Sequence, residues 1–166
     1  MEQDADFADY VSARWEALVR SGVMLGCTLD EAHDLAQTTL LRCYKSWRKV
    51  AAAAEPDAYV YRILINCHRD GRRRRWSGEV PTELLPDRKV DDETQLVALR
   101  DSVRRAIDEL SLTGRQVVVL RYFANLSEAQ TANVLNIPLG TVKSRLSRAL
   151  SQLSDSDHLV EGPSGE

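Results

Sequence analysis

The stretch Ser127-Glu128-Ala129-Gln130-Thr131-Ala132-Asn133-Val134-Leu135-Asn136-Ile137-Pro138-Leu139-Gly140-Thr141-Val142-Lys143-Ser144-Arg145-Leu146-Ser147-Arg148-Ala149-Leu150 spells a helix, a tight turn and a second helix. Ser127 followed three residues on by Gln130 is a capping box, in which each side chain satisfies a backbone N–H that has no partner at a helix start. The helix it opens runs to Leu135. Asn136 tolerates the left-handed conformation of a tight turn, and Pro138 starts a last helix that reads to about Leu153. On that last helix Val142, Leu146, Ala149 and Leu153 recur at spacings of 4, 3 and 4, a stripe that must face a core. The opposite side presents Thr141, Lys143, Ser144, Arg145 and Arg148. Ala132 falls where the two helices cross, where a bulkier side chain would clash. The second helix of such a helix-turn-helix fits the major groove of DNA. Arg and Lys there suit guanine, while Ser and Thr reach phosphates or bases. An αα-hairpin with a solvated basic face would carry the same features.

Upstream, the signals are again helical. Phe7 to Arg20 reads as an amphipathic helix with Phe7, Tyr10, Val11, Leu18 and Val19 apolar, broken by Gly22 and Gly26. Thr28-Leu29-Asp30-Glu31 is a second capping box. The helix it opens reads to about Arg48, with Ala32, Leu35, Leu40, Cys43 and Trp47 available for an inner face. An alanine-rich connection from Val50 to Ala54 leads to Glu55-Pro56, and proline suits the first turn of the helix that follows, to about Arg75. Trp76 to Asp92 has Gly78, Pro81 and Pro86 and no apolar period, so it reads as a linker. A helix from about Asp92 to Leu110 and another over Thr113–Ala124 precede the capping box at Ser127. The expected organisation is all-α: a first helical unit over 1–75, a linker over 76–91, a second unit over 92–153 and a disordered tail over 154–166.

Composition agrees. The chain has 166 residues, 43% of them apolar and 6% aromatic, with 8 Gly and 5 Pro, which fits helices better than a strand-rich sandwich. No apolar run approaches the ~18–20 residues of a membrane span, and the acidic start Met1-Glu2-Gln3-Asp4 lacks the features of a secretory signal. Cys27, Cys43 and Cys67 form no C-x-x-C pair, so neither a disulfide framework nor a cysteine-rich zinc site is supported. The expectation is a soluble, cytoplasmic protein without metal or cofactor.

The net charge of −3 conceals blocks. Residues 1–60 carry net −4, 61–76 net +5, 77–113 net −4, 114–153 net +4 and 154–166 net −4. Two basic segments separated by an acidic one suggest two places where a polyanion is gripped, although two solvated helix faces would give the same pattern. The first basic block sits on the third helix. There Arg62, Asn66, Arg69 and Arg73 are spaced 4, 3 and 4 and share one face. Ala58, Tyr61, Ile65 and His68 form a second stripe that can be buried. Asn66 among arginines, followed by Arg72 to Arg75, suits a phosphate-tracking surface with one discriminating side chain. The terminal arginines also favour the helix dipole, which accounts for them without DNA.

At these residues the sequence resembles the extracytoplasmic-function (ECF) group of bacterial RNA polymerase sigma factors. Asp34-Leu35-Ala36-Gln37-Thr38-Thr39-Leu40-Leu41-Arg42 is similar to the family's D-x-x-Q-E-T-F-L-R segment in region two. Tyr59-Val60-Tyr61-Arg62-Ile63-Leu64-Ile65-Asn66, with Asp70 and the arginines after it, is similar to its promoter-melting segment. Leu120-Arg121-Tyr122-Phe123 and Gly140 to Leu150 resemble region four. The resemblance covers about Phe7–Arg75 and Asp92–Leu153.

It implies a region 2 three-helix bundle and a region 4 helix-turn-helix, joined by a flexible linker that threads toward the polymerase's RNA exit path. It implies core RNA polymerase as partner, through the clamp and flap of its largest subunits, with Asp34, Gln37, Leu41, Arg42 and Tyr44 carrying the clamp contact. It implies promoter DNA as the second partner. Asn66 and the Arg48–Pro56 loop would hold a flipped base of the −10 element, with Arg62, Arg69, Arg72 and Arg73 beside them; a matched pocket offsets the few kcal/mol of unstacking. Lys143, Ser144 and Arg148 would read base edges of the −35 element, and Thr141, Arg145 and Arg121 would contact phosphates. An anti-sigma factor is a further partner that the resemblance admits. Neither catalysis nor a small-molecule substrate is implied. The chain departs from the family pattern at Thr38 and Gln130, both usually Glu, at Thr131, usually aliphatic, and at Ala51–Ala54, where many members carry polar side chains.

Three other readings remain open on the sequence. A stand-alone helix-turn-helix regulator explains 114–153 but leaves Asp34–Arg42 and Tyr59–Arg75 without a purpose. A nuclease using acids near His33 or His68 lacks a metal spacing such as H-E-x-x-H. A sigma-like protein that only sequesters partners would share the same motifs.

Overall fold

The computed structural model describes residues 2–77 and 95–160, and every described element is helical. Helix α1 spans Glu2–Met24, α2 Leu29–Lys45, α3 Trp47–Ala52 and α4 Pro56–Trp76. The second half has α5 Gln95–Asp108, α6 Leu112–Val118, a π-helical turn Val119–Phe123, α7 Glu128–Leu135, α8 Leu139–Ser154 and α9 Asp157–Val160. The expected linker lies almost wholly outside the described residues.

Gly22 does not break the first helix. It lies inside α1 and is buried; a Cβ there would sit 3.0 Å from the Cβ of Ala32, so the missing side chain is what lets α1 and α2 touch. The stop is Gly26, whose φ of 108° suits glycine. Thr28 then caps α2 as the spacing predicts: its hydroxyl accepts from the Glu31 amide at 3.2 Å, and Glu31 accepts from the Thr28 amide at 2.9 Å. α2 ends at Lys45 rather than near Arg48. Trp47 opens the separate short helix α3, where it is buried edge-on to Phe7 and against Tyr10. The alanine-rich connection is thus partly helical, with only Ala53 to Glu55 between α3 and α4.

Pro56 begins α4 as expected, and Asp57 in its first turn is gripped from α1. Tyr10 donates to Asp57 at 2.8 Å and Arg14 donates through two nitrogens at 3.0 and 2.9 Å. Burial and the neighbouring Asp57 carboxylate push the Tyr10 hydroxyl far above its usual pKa, so it stays a donor. The inner face of α4 is the predicted stripe Ala58, Tyr61, Ile65 and His68, joined by Val60 and Leu64.

In the second half, the helix expected over Thr113–Ala124 changes character at Val119. The Ala124 amide bonds the Val119 carbonyl, one residue further back than in an α-helix, and Asn125 then takes φ 57°. Arg121 donates to the Leu126 carbonyl across this turn. Of the tail expected over 154–166, residues 161–166 lie outside the described residues, and the part before them is ordered: α9 packs on α5, Ser156 is buried, and His158 pairs with Glu109 at 2.8 Å. Residues that read as polar tail supply a hydroxyl and an imidazole to one carboxylate, that of Glu109 just past the end of α5, which no hydrophobic period announces.

The two halves share a core. Leu18, Leu25, Leu64 and Ile65 of the first half belong to one apolar cluster with Ile107, Val117, Val119 and Leu120 of the second. α4 packs on α7, and α1 on the π-helical turn. Two arginines cross the junction: Arg62 donates to the Asn133 carbonyl, and Arg115 donates to the Leu25 carbonyl at 3.3 Å while lying over Gly26.

Candidate nucleic-acid and partner interfaces

The helix-turn-helix forms as the sequence predicts. Ser127 and Gln130 exchange both capping hydrogen bonds, at 3.0 and 2.7 Å, and Asn136 takes φ 53°, ψ 49°. The Ile137 amide closes onto the Ala132 carbonyl, and Ala132 is buried at the turn. Val142, Leu146 and Ala149 are buried, leaving Lys143, Ser144 and Arg148 exposed, with Thr141 and Arg145 half-buried at the edge of that face. Among the described residues no ion pair involves Lys143, Arg145 or Arg148, so their charge is free for an external anion. Arg121 differs from these: its guanidinium is half-buried, holds the Leu126 carbonyl and lies over the Tyr122 ring. Thr131 is fully buried, and its hydroxyl has no hydrogen-bond partner.

On α4, Arg62, Asn66 and Arg73 are exposed along one side, with Arg69 half-buried in the same row and Arg72 exposed beside it. The row is not wholly open, because Arg62 is spent on the α7 carbonyl of Asn133. Arg75 turns the other way and pairs with Glu31 of α2 at 2.7 Å. Beneath the arginines His68 is 6% exposed, with Nδ1 unpartnered. Burial, reinforced by Arg72, Arg75 and Arg115, lowers its pKa to about 4, so the imidazole is neutral at physiological pH. A buried neutral histidine below a row of arginines serves packing, and among the described residues no cluster of His, Cys, Asp and Glu suits a metal ion.

The outer face of α2 collects the remaining candidates. Asp34, Gln37, Leu41 and Arg42 are exposed and follow one another at helical spacing, with Thr38 in the same stripe. Leu41 is 58% exposed in the middle of this polar stripe, and Tyr44, three residues on, is exposed as well. Arg42 reaches Asp70 of α4 at 3.5 Å, across a solvent-open groove of about 220 Å³ between the two helices. Tyr44 lies at the edge, its ring tilted against Phe7 and its hydroxyl donating to Asp4 at 3.0 Å, so the start of α1 fixes its ring. Burial pushes the thiols of Cys27 and Cys43 up to about 11, which makes both inert near neutral pH.

The sequence reading missed the side chains that connect these faces. Arg115 and the Asp57–Arg14–Tyr10 clamp join residues 40 or more positions apart, and no local period signals them.

Two helical units with these faces define a protein built like the DNA- and polymerase-binding parts of sigma-70 factors. Residues 5–78 match the family model for sigma-70 region 2, and residues 100–153 match that for sigma-70 region 4. The chain is 41% identical over 150 residues to the RNA polymerase sigma-E factor of Streptomyces avermitilis, covering 90% of this chain and 84% of the relative. It is 31% identical over 128 residues to the ECF RNA polymerase sigma factor SigL of Mycobacterium tuberculosis, covering 74% and 72%. Among solved structures, the sigma factor RpoE in complex with the anti-sigma factor NepR from Bartonella quintana superposes with a TM-score of 0.65 at 25% identity, covering 94% of this chain and 98% of that one. The chain belongs to the ECF family of RNA polymerase sigma factors.

Proposed function

We propose that this chain directs core RNA polymerase to specific promoters in the cytoplasm, and that it does so by dividing three contacts among its helices. The α2 face of Asp34, Gln37, Leu41, Arg42 and Tyr44 docks on the polymerase clamp. The α4 row of Arg62, Asn66, Arg69, Arg72 and Arg73 holds the −10 element, with Asn66 discriminating one base. Helix α8 reads the −35 element through Lys143, Ser144 and Arg148, while Thr141, Arg145 and Arg121 take phosphates. The observation that carries this reading is that the exposed, unpaired basic face of α8 shares a chain with the Arg–Asn row of α4 and the apolar-centred face of α2. A stand-alone DNA-binding module needs only the first. An anti-sigma factor belongs among the partners because the RpoE relative is held in a complex with one. No catalytic step is assigned to the chain itself; it supplies recognition and assists melting.

The reading has a mechanical consequence. Element centres about 25 base pairs apart lie on the order of 85 Å apart along B-form DNA. A closed body of this length has a radius of gyration of about 15 Å, so the two halves cannot reach both elements while packed together. The chain between Ser77 and Gln95, fully extended, reaches on the order of 60 Å, which with the breadth of each half covers the distance. Promoter binding therefore requires the junction at Arg62 and Arg115 to part.

The test uses reconstituted polymerase. Asn66→Ala should reduce open-complex formation and leave polymerase binding intact, whereas Leu41→Glu should abolish polymerase binding. Tight binding to duplex DNA without polymerase, and no promoter-specific transcription with it, would favour a stand-alone regulator instead.

A further inference from the structure

The groove between α2 and α4 holds three features that promoter and polymerase contacts leave unexplained. Gly71 lies in the interior of α4 and lines the groove. Glycine weakens a helix interior relative to alanine, yet no heavy atom lies within 4 Å of where its Cβ would stand, and its φ is not positive. Neither packing nor backbone requires glycine there, so what its missing side chain supplies is room in the groove. His68 also lines the groove, is 6% exposed and has an unpartnered Nδ1. An apolar side chain would fill that space without leaving a buried nitrogen unpaired. The third feature is charge. Arg42 and Arg75 are held by Asp70 and Glu31 at 3.5 and 2.7 Å, whereas Arg72 and Arg74 line the groove with no ion pair among the described residues.

Helical geometry puts those two arginines on opposite sides of the glycine. Relative to Gly71, Arg74 projects about 60° one way round the helix and Arg72 about 100° the other. Two guanidinium groups thus flank a strip of bare backbone. A guanidinium fork matches phosphate oxygens with parallel hydrogen bonds, and a ligand that reaches both forks needs two phosphoryl groups. The groove measures about 220 Å³, less than the roughly 300–1,000 Å³ of sites for drug-sized molecules, so its occupant is small. A cation finds no comparable seat, because Glu31 and Asp70 are already paired and only Asp34 remains on the lining.

We infer that this groove binds a small diphosphate anion, bridged between Arg72 and Arg74 over the bare backbone of Gly71, with His68 beneath. Rotation about χ2, a broad torsion in histidine, offers the ligand a ring nitrogen. Asp34 and Arg42 belong to the groove as well as to the α2 face, so an occupied groove competes with the polymerase clamp. That competition rests on the clamp assignment of α2; the site itself does not.

The experiment is a calorimetric titration of the full chain with inorganic pyrophosphate at fixed ionic strength. Hydrogen bonds to a charged group are worth roughly ten- to a hundredfold in affinity, so Arg74→Gln should weaken binding at least about tenfold. Gly71→Leu, which fills the groove, should abolish binding, while Gly71→Ala should leave it nearly intact. Both should melt at or above the parent's temperature, since each replaces a helical glycine with a better helix former. Absence of pyrophosphate binding would overturn the inference, as would a Gly71→Leu variant that binds as the parent does. Equal weakening by Arg73→Gln, whose side chain does not line the groove, would also overturn it, leaving only diffuse attraction to the basic block. So would orthophosphate that binds as tightly as pyrophosphate, because one phosphoryl group cannot bridge both arginines. An ADP titration distinguishes the source: tighter binding than pyrophosphate supports a nucleoside diphosphate, and weaker binding supports the free anion. Saturating pyrophosphate should then weaken polymerase assembly by the parent and spare assembly by Gly71→Leu. Pyrophosphate binding with unchanged assembly by the parent would overturn the competition and leave the site standing.

Discussion

Replacing Arg115 with alanine should loosen the grip between the two halves. Its Nη1 donates to the Leu25 carbonyl across the junction at 3.3 Å, while its Nε donates to the Leu110 carbonyl within its own half at 3.2 Å. Only the first bond bears on opening. Hydrogen bonds to charged groups contribute about 1.5–3 kcal/mol, and a distance beyond the usual range argues for the lower end. About 1.5 kcal/mol is a shift of roughly tenfold toward parted halves. Arg62→Ala removes the second arginine across the junction, its bond to the Asn133 carbonyl, and brings the double variant to about 3 kcal/mol if the two add. Small-angle scattering should then show a radius of gyration well above the ~15 Å of a closed body. Association with core polymerase should quicken, while helix content by circular dichroism stays constant. Neither readout involves DNA, so the place of Arg62 on the promoter face does not confuse the result. A double variant with unchanged radius and unchanged association rate would show that these arginines do not hold the halves together.

Other outcomes follow from single side chains. Because burial lowers the pKa of His68 to about 4 in the folded chain, against about 6.5 when unfolded, the unfolded state binds the extra proton first. His68 thus leaves stability intact above pH 6.5 and withdraws up to about 3 kcal/mol as the pH falls toward 4. Urea denaturation of His68→Gln at pH 7 and 4.5 should show a flatter dependence, and an unchanged one would contradict this. Thr131→Val should raise stability by about 1 kcal/mol, since it removes a fully buried hydroxyl without a partner and keeps the shape; a lower melting temperature would reveal a bond to that hydroxyl. Arg148→Ala should cost roughly 1–3 kcal/mol of promoter affinity and relax base preference at one −35 position, read from selected-promoter sequencing. A uniform loss across all sequences would make Arg148 a phosphate contact.

Much of this architecture was legible because local chemistry and global packing agree. Both capping boxes, the Asn136 turn, Pro56 at the start of α4 and the buried stripes of α4 and α8 occur where spacing puts them. The misreadings have a common cause. Gly22 reads as a breaker because its use lies in a neighbour, Ala32, ten positions away. Trp47 sits at helical spacing for α2 yet opens α3, since the aromatic contacts that hold it come from α1. α9 has too few residues to show a period, and its anchoring depends on Glu109, the residue after α5. The candidate faces were legible because exposed positions on an amphipathic helix follow from its buried stripe. The junction was not, because Arg62 and Arg115 donate to backbone carbonyls, and a carbonyl has no sequence signature.

The central claim is that one chain carries polymerase binding and promoter choice together. It is tested most directly by transcription in vitro from a promoter library, using core polymerase with and without the purified chain. The account predicts transcripts that appear only with the chain and start downstream of one shared pair of −10 and −35 sequences. It further predicts that Asn66→Ala lowers their yield and Arg148→Ala broadens the −35 sequence. Core polymerase that binds the chain but yields no promoter-specific transcripts would contradict it, leaving a protein that only sequesters its partners.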